Sequence, residues 1–214
     1  AARTLTRIDP SGDEIDKTIA LANPPQALVA TDQGLYVAVR SSGEEHRGGT
    51  LRVHQAAPDS LDPALSYFDG AWRILAMTND GLVGFRRVGG IEGVQLVPDL
   101  AVSLPTPSDS GLTYAFRLRR GVRYSTGRLV QPADFRTAIE RAVGSPGAPL
   151  QARQYYLGIR GADRCRVGRP CSLSSGIVTK GHTVTFHLTK PDGDFLSKLA
   201  LTFAFAVPAG TPAH

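Results

Sequence analysis

Two cysteines, five histidines, 19 carboxylates and a scatter of aromatic rings hold whatever chemistry this sequence can do. Cys165 and Cys171 bound the loop CRVGRPC, with Gly168 and Pro170 inside it. Zinc needs four ligands, and no histidine lies near this pair. The spacing also misses the C-x-x-C of redox motifs. A local disulfide fits best, worth about 2 kcal/mol on the chain-entropy model. It would place the domain in an oxidising compartment; two free thiols in a cytosolic loop are the alternative. His182 and His187 sit five apart on one strand and face opposite sides, so they cannot share a metal. His46, His54 and His214 have no partner at ligand spacing. Asp59, Asp62, Asp69, Asp80 and Asp99 fall mostly in turns and form no evident acid–base pair. GGIEG, residues 89–93, lacks the strand–glycine–helix context of a dinucleotide site. No nucleophile elbow or Walker loop is present. The chain therefore reads as a non-enzyme, with no cofactor and no metal.

The aromatic residues carry a second possibility. Tyr67, Phe68, Trp72, Tyr124, Tyr155, Tyr156 and Phe203 lie near expected loop ends. Core packing is the plain reading of each. A ligand wall is the functional one, because binding residues collect on loops held by a scaffold. Tyr67 and Phe68 follow a strand-to-loop turn, and Tyr155 with Tyr156 fall in a segment that reads as irregular.

The elements that would hold such a wall are well marked from residue 50 onward. TLRVHQA (50–56) reads as a strand and APDSLDP as a turn. A helix is expected from about Tyr67 to Thr78, closed by Gly81 in the left-handed conformation. LVGFRR reads as a strand and residues 88–101 as a turn-rich connector. In TYAFRLR, Tyr114, Phe116 and Leu118 point one way while Thr113, Ala115, Arg117 and Arg119 point the other. VRYSTG is expected to pair back on that strand. Pro132 and Asp134 then suit a helix start. Phe135, Ala138, Ile139, Ala142 and Val143 make one apolar face at helical spacing. HTVTFHLTK repeats the alternation with Val184, Phe186 and Leu188 inward, and PDGDFLSKLAL begins another helix. The apolar run TFAFAVP near the end reads as needing partners, some of them outside this stretch.

Composition agrees with a folded domain. At 42% hydrophobic and 20% charged the chain can bury a core, and no apolar run reaches the ~18 residues of a membrane helix. Net charge is +5, and 20 of the 24 basic residues are arginine. Arg117, Arg119, Arg120 and Arg123 are the densest cluster, but alternate strand positions usually form a solvated sheet face, so no nucleic-acid partner is expected. The chain begins at Ala1 without a signal-like segment and reads as a piece of something longer.

Residues 1–45 differ from the rest. LTRIDP, KTIAL and ALVATDQGLYVAVR are short β-type runs separated by SGDE, ANPP and DQG. Together they resemble the last blade of a YVTN-type β-propeller, which implies a blade remnant, because one blade cannot bury its own faces. SSGEEHRGG, residues 41–49, is the expected linker. From Gly48 to Pro212 the sequence resembles the family 5 solute-binding proteins of ABC importers. The likeness rests on GGTLRV…PDSLDPAL, DGLVGF, the run LVPDLAVSLPTPSDSGLTYAFRLRRGVRYSTGRLVQPADFRTAIERAV, and GIVTKGHTVTFHLTKPDGDFLSKLA. Phe116, Gly121, Ser125, Gly127 and Asp134 fall on the family pattern; Leu104, Gln131 and Pro132 depart from it.

That resemblance implies an α+β fold, a mixed sheet with helices forming the N-terminal lobe of a periplasmic-binding-protein-like domain over residues 46–214. The second lobe is absent. It implies an extracytoplasmic module binding a peptide-like or other small solute, with an ABC permease and the missing C-terminal lobe as partners. Tyr67, Tyr155, Tyr156, Thr202 and Phe203 would be ligand-binding. The alternative function is a ligand-sensing domain of a regulator or kinase, which would be cytoplasmic. A third is a ligand-free interaction platform.

Overall fold

The computed structural model describes residues 3–9, 11–12, 14–21, 24–32, 34–39, 55 and 57–212. The chain divides into two units, residues 1–53 and 54–214. The first holds β1 (Thr4–Asp9), β2 (Glu14–Ala20), β3 (Pro25–Thr31) and β4 (Gly34–Val39). They form two separate antiparallel pairs, β1–β2 and β3–β4. ALVATDQGLYVAVR is thus a hairpin, in keeping with the turn expected at DQG: its turn ends on Gly34 at φ +144°, and the Thr31 hydroxyl donates to the Gly34 carbonyl at 3.2 Å. Leu28 faces Val37 and Ala30 faces Leu35 on one side; Val29 faces Tyr36 on the other. Within this unit Leu28, Val29, Leu35 and Tyr36 are all exposed. The expected linker, and all of TLRVHQA except Gln55, lie outside the described residues.

The second unit opens with a loop pinned by carboxylates. The Asp62 side chain accepts from the Ala64 amide at 3.0 Å, and Asp59 accepts from the Tyr67 amide at 2.7 Å. Helix α1 (Asp69–Thr78) starts two residues later than the sequence suggested, with Asp69 at its positive end and Arg73 one turn on at 3.0 Å. It buries Ala71 and Leu75. The expected glycine cap is corrected: Asn79 ends the helix in extended conformation, and no positive φ occurs at Gly81. Gly81 is needed for close approach instead, since a Cβ there would lie 3.1 Å from the Phe205 ring and from the Val83 carbonyl. β5 (Val83–Phe85) pairs antiparallel with β6 (Leu96–Pro98), so part of the expected connector is a strand.

The main sheet is β7 (Thr113–Arg117), β9 (Thr183–His187) and β8 (Ile177–Lys180), in that order and antiparallel throughout. Tyr114 faces Phe186 and Phe116 faces Val184, and all four are buried. Residues 122–130 do not pair back on β7. They close a hairpin of their own, with Tyr124 N–H to the Arg128 carbonyl at 2.9 Å and Val130 N–H to Val122 at 3.0 Å. The reason is burial: β9 offers β7 two fully buried apolar partners, whereas Val122 and Tyr124 stay half-buried. Helix α2 (Pro132–Gly144) begins with the Asp134 carboxylate accepting from the Gln131 amide at 2.8 Å. Its buried face is the expected one, Phe135, Ala138, Ile139, Ala142 and Val143. Helices α3 (Leu150–Tyr156) and α4 (Phe195–Leu199) complete the layer. The run Thr202–Val207 is buried within this unit, which corrects the expectation that it needs partners elsewhere.

Two charged side chains on α2 are buried, and both are fully engaged. Asp134 accepts from the Tyr124 hydroxyl at 2.9 Å, Arg128 at 3.3 Å and the Ala209 amide at 2.8 Å, besides Gln131. Burial, then the Asp134 charge, push the Tyr124 hydroxyl far above its usual range. Arg141 donates to both Asp62 oxygens at 2.8 and 2.5 Å and to the Pro212 carbonyl at 2.9 Å. Cys165 and Cys171 are joined as a disulfide with Cα atoms 5.0 Å apart. Arg153 braces that loop through the Val143 and Cys165 carbonyls at 2.8 and 2.9 Å.

Gly176 sits where this loop enters β8, and a Cβ there would overlap the Arg160 carbonyl and lie 2.7 Å from Ile159 Cγ2. Gly176→Ala is expected to destabilise the protein by about 1–3 kcal/mol in urea unfolding. Gly193→Ala meets nothing within 4 Å and is expected to change stability by under about 0.5 kcal/mol.

Candidate functional site

The loop before α1 delivers a line of aromatic rings. The Asp59–Tyr67 bond fixes the last turn of that loop, and the Trp72 indole N–H donates to the Ser66 carbonyl at 3.1 Å. Tyr67 then meets Trp72 edge-on, centroids 5.9 Å apart at 85°. Trp72 meets Phe203 at 5.7 Å and 86°, and Phe203 meets Tyr155 at 6.4 Å and 39°. Exposure falls along the line, from Phe68 at 66% through Tyr67 at 36% to Phe203 at 0%. Each edge-to-face contact adds about 0.5–1.5 kcal/mol beyond burial. The line therefore runs from an exposed end at Phe68 and Tyr67 into the core at Phe203.

Three of the five candidates from sequence, Tyr67, Tyr155 and Phe203, are thus brought together, and Trp72 is the ring that joins them. The other two, like Phe203, are buried, and neither joins the line. Tyr155 and Tyr156 lie on helix α3, not in an irregular segment. Successive helical residues point about 100° apart, so Tyr155 reaches the line while Tyr156 is fully buried. The Tyr156 hydroxyl donates to the Lys198 carbonyl at 2.8 Å, and burial raises it well above the usual phenol range. Thr202 is 5% exposed. Its hydroxyl, and that of Ser66, have no hydrogen-bond partner among the described residues. Ser66 and the linking role of Trp72 were not singled out from sequence; the clustering of Tyr67, Phe68 and Trp72 at one helix entry was the available signal.

Phe68 continues the line into a cleft of about 640 Å³, lined also by Gln55, Asp59, Asp69 and Arg73. Of the rings only Phe68 lines this cleft; its face beside polar and charged groups suits an organic solute with apolar and hydrogen-bonding parts. Among the described residues no group of three or more His, Cys, Asp or Glu side chains could hold a metal. No described helix is long and apolar enough to cross a membrane. A separate cleft of about 500 Å³ runs between α2 and the disulfide loop and touches none of the aromatic line. Glu140 lines it; burial raises its carboxyl, against the lowering effects of the Leu173 amide at 2.8 Å and of Arg136.

Residues 95–213 match the model of the bacterial extracellular solute-binding proteins, family 5. Protein XP55 of Streptomyces lividans is 32% identical over 124 residues, covering 53% of this chain and 21% of that protein. Among solved structures, clavulanic acid biosynthesis oligopeptide binding protein 2 superposes with a TM-score of 0.64 at 32% identity, over 72% of this chain and 29% of the other. The pheromone receptor PrgZ, described for its mode of peptide binding, gives 0.59 at 25% identity over 71% and 29%. Haemophilus influenzae OppA in complex with RPPGFSPFR gives 0.61 at 24% over 72% and 29%, a likeness of fold alone. The fold is the mixed α/β, periplasmic-binding-protein-like one expected from the sequence. The chain spans less than a third of the length of these relatives.

Trp72→Phe keeps the ring contacts and loses the bond to Ser66, so urea unfolding followed by circular dichroism should show a loss of about 1 kcal/mol. Trp72→Ala opens a gap between Tyr67 and Phe203 and should cost about 3 kcal/mol. For Glu140 the folded-state pKa lies above the unfolded value, so the folded state holds the extra proton. Stability should therefore fall as pH rises from 4.5 through the folded pKa. Glu140→Gln should flatten that part of a stability–pH curve, and an unchanged slope would contradict the assignment.

Proposed function

Because this chain belongs to the bacterial extracellular solute-binding proteins of family 5, we propose that it supplies one wall of a cleft that holds a peptide-like solute outside the cytoplasm. The aromatic line Tyr67–Trp72–Phe203–Tyr155, running into the cleft at Phe68, is the observation that carries this reading. Tyr67 and Tyr155 offer ring faces and phenol groups to the solute. Phe203 backs them, and Thr202 and Tyr156 act from the core. Peptide is the favoured class because two of the similar structures are described by oligopeptide or peptide binding. The opposing wall comes from the part of the relatives that this chain does not span, and closing the two walls excludes water. Delivery is to an ABC permease, and the protein binds its solute without turning it over. The Cys165–Cys171 disulfide supports an extracytoplasmic setting.

Residues 1–45 we read as part of a β-propeller blade. In support, the β3–β4 hairpin carries apolar residues on both faces, as an element flanked on both sides requires.

Trp72 is the chain's one tryptophan, so its fluorescence reports directly on the line. In a protein of the full length its relatives have, titration with di- to pentapeptides should shift that fluorescence and raise Tm with occupancy. Tyr67→Ala should abolish both shifts while leaving the unliganded circular dichroism unchanged. A folded protein whose fluorescence and Tm ignore every peptide would overturn the proposal.

A further inference from the structure

The stretch that leads into and through the disulfide loop is strongly basic. Arg160, Arg164, Arg166 and Arg169 fall within ten residues, all exposed, against one carboxylate, Asp163. Seven other arginines (Arg7, Arg73, Arg86, Arg87, Arg128, Arg136 and Arg141) stand in ion pairs, but none of these four does among the described residues. Arg166 is spent on the Asp163 and Cys165 carbonyls, at 2.8 and 3.2 Å. Arg164 donates no side-chain hydrogen bond to any described residue.

Arg164 instead lines a small cleft of about 170 Å³ with Gly161, Ser172, Ser175 and both cysteines. The volume suits one small group. Ser172 is engaged with Ser174, oxygen to oxygen at 3.3 Å, whereas the Ser175 hydroxyl has no bond to any described residue. Gly161 keeps that hydroxyl open: a Cβ there would lie 3.2 Å from Ser175 Oγ, and its φ of +88° favours glycine independently. Arg164 and Ser175, neither of which has a side-chain bond to a described residue, thus line the same small cleft. Both cysteines form its floor, so its shape depends on the closed loop. Glu140 lines a different cleft and accepts from the Leu173 amide.

We propose that this cleft is an oxyanion site, taking one phosphate-type group by way of the Arg164 guanidinium and the Ser175 hydroxyl. Arg160 and Arg169 raise the local potential and draw the anion in. The planar guanidinium fork matches two oxygens of such a group, which a point charge does not. The site is remote in kind from the aromatic line and does not depend on a solute-binding role. Free phosphate and the phosphate of an anionic lipid headgroup share the required chemistry.

Calorimetric titration of residues 1–214 with inorganic phosphate, against sodium chloride of equal ionic strength, tests the site. Sedimentation with phosphatidylglycerol vesicles, against phosphatidylcholine vesicles, is the second arm. Saturable phosphate binding in excess of chloride is expected. It should weaken about tenfold or more in Arg164→Ala and about threefold in Ser175→Ala, with Arg164→Lys between. Arg7→Ala, an exposed arginine elsewhere, should leave it unchanged. Vesicle binding that needs both phosphatidylglycerol and Arg164, without free-phosphate binding, supports the site with a lipid source. Phosphate indistinguishable from chloride together with no vesicle preference overturns it. So does undiminished binding by an Arg164→Ala protein with a wild-type circular dichroism melt.

Discussion

Helix α2 buries two charges, Asp134 and Arg141, and the arrangement of the second unit follows from how they are satisfied. A buried charge is tolerated only when paired and hydrogen-bonded, and removing one partner costs about 3–5 kcal/mol. Asp134 gathers the 122–131 hairpin, through Tyr124, Arg128 and the Gln131 amide, and the Ala209 amide. Two helical turns on, Arg141 gathers the loop at Asp62 and the Pro212 carbonyl. Three stretches far apart in the chain are thereby tied to one helix. The apolar face of α2 supplies the attraction, but apolar contact is non-directional. The two charges decide which segments meet the helix and in what register.

That constraint reaches the aromatic line. The loop from Asp59 to Phe68 is held at Asp62 by Arg141 and at Tyr67 by Asp59, so the entry to α1 has little freedom. Phe203 arrives from the opposite end of the unit, in the buried run Thr202–Val207, whose continuation is held at Ala209 and Pro212 by the same helix. Trp72 and Phe203 can meet edge-on because both segments carrying them are anchored to α2. The aromatic line is thus assembled from two ends of this unit's chain and fixed from behind by polar bonds, which is how loops acquire a defined surface.

The same logic separates what the sequence reveals from what it hides. Alternation in residues 113–118 and 183–188, and the apolar face of residues 132–144, are local signals, and each appears in the structure as read. Partner choice is not local. The alternating pattern of β7 identifies a strand but cannot say that β9, not the adjacent 122–130 segment, will pair with it. Helix α3 is only seven residues long, between Pro149 and Gly158, too short for a period to stand out. Tyr155 and Tyr156 therefore looked equivalent, although the helix sends one to the wall and the other to the core. Phe203 could be picked as aromatic, but its contact with Trp72 depends on the tie between α2 and both chain segments.

Of the three buried side-chain oxygens without a partner among the described residues, two flank this wall, Ser66 Oγ and Thr202 Oγ1. Each unsatisfied buried hydroxyl costs about 1–3 kcal/mol. One lies next to the carbonyl that holds Trp72, the other next to Phe203. The third, Ser145 Oγ, lies at the C-cap of α2, so the scaffold carries one such group and the aromatic line two. Two of the three lying behind the aromatic line is consistent with the solute-holding role proposed for it.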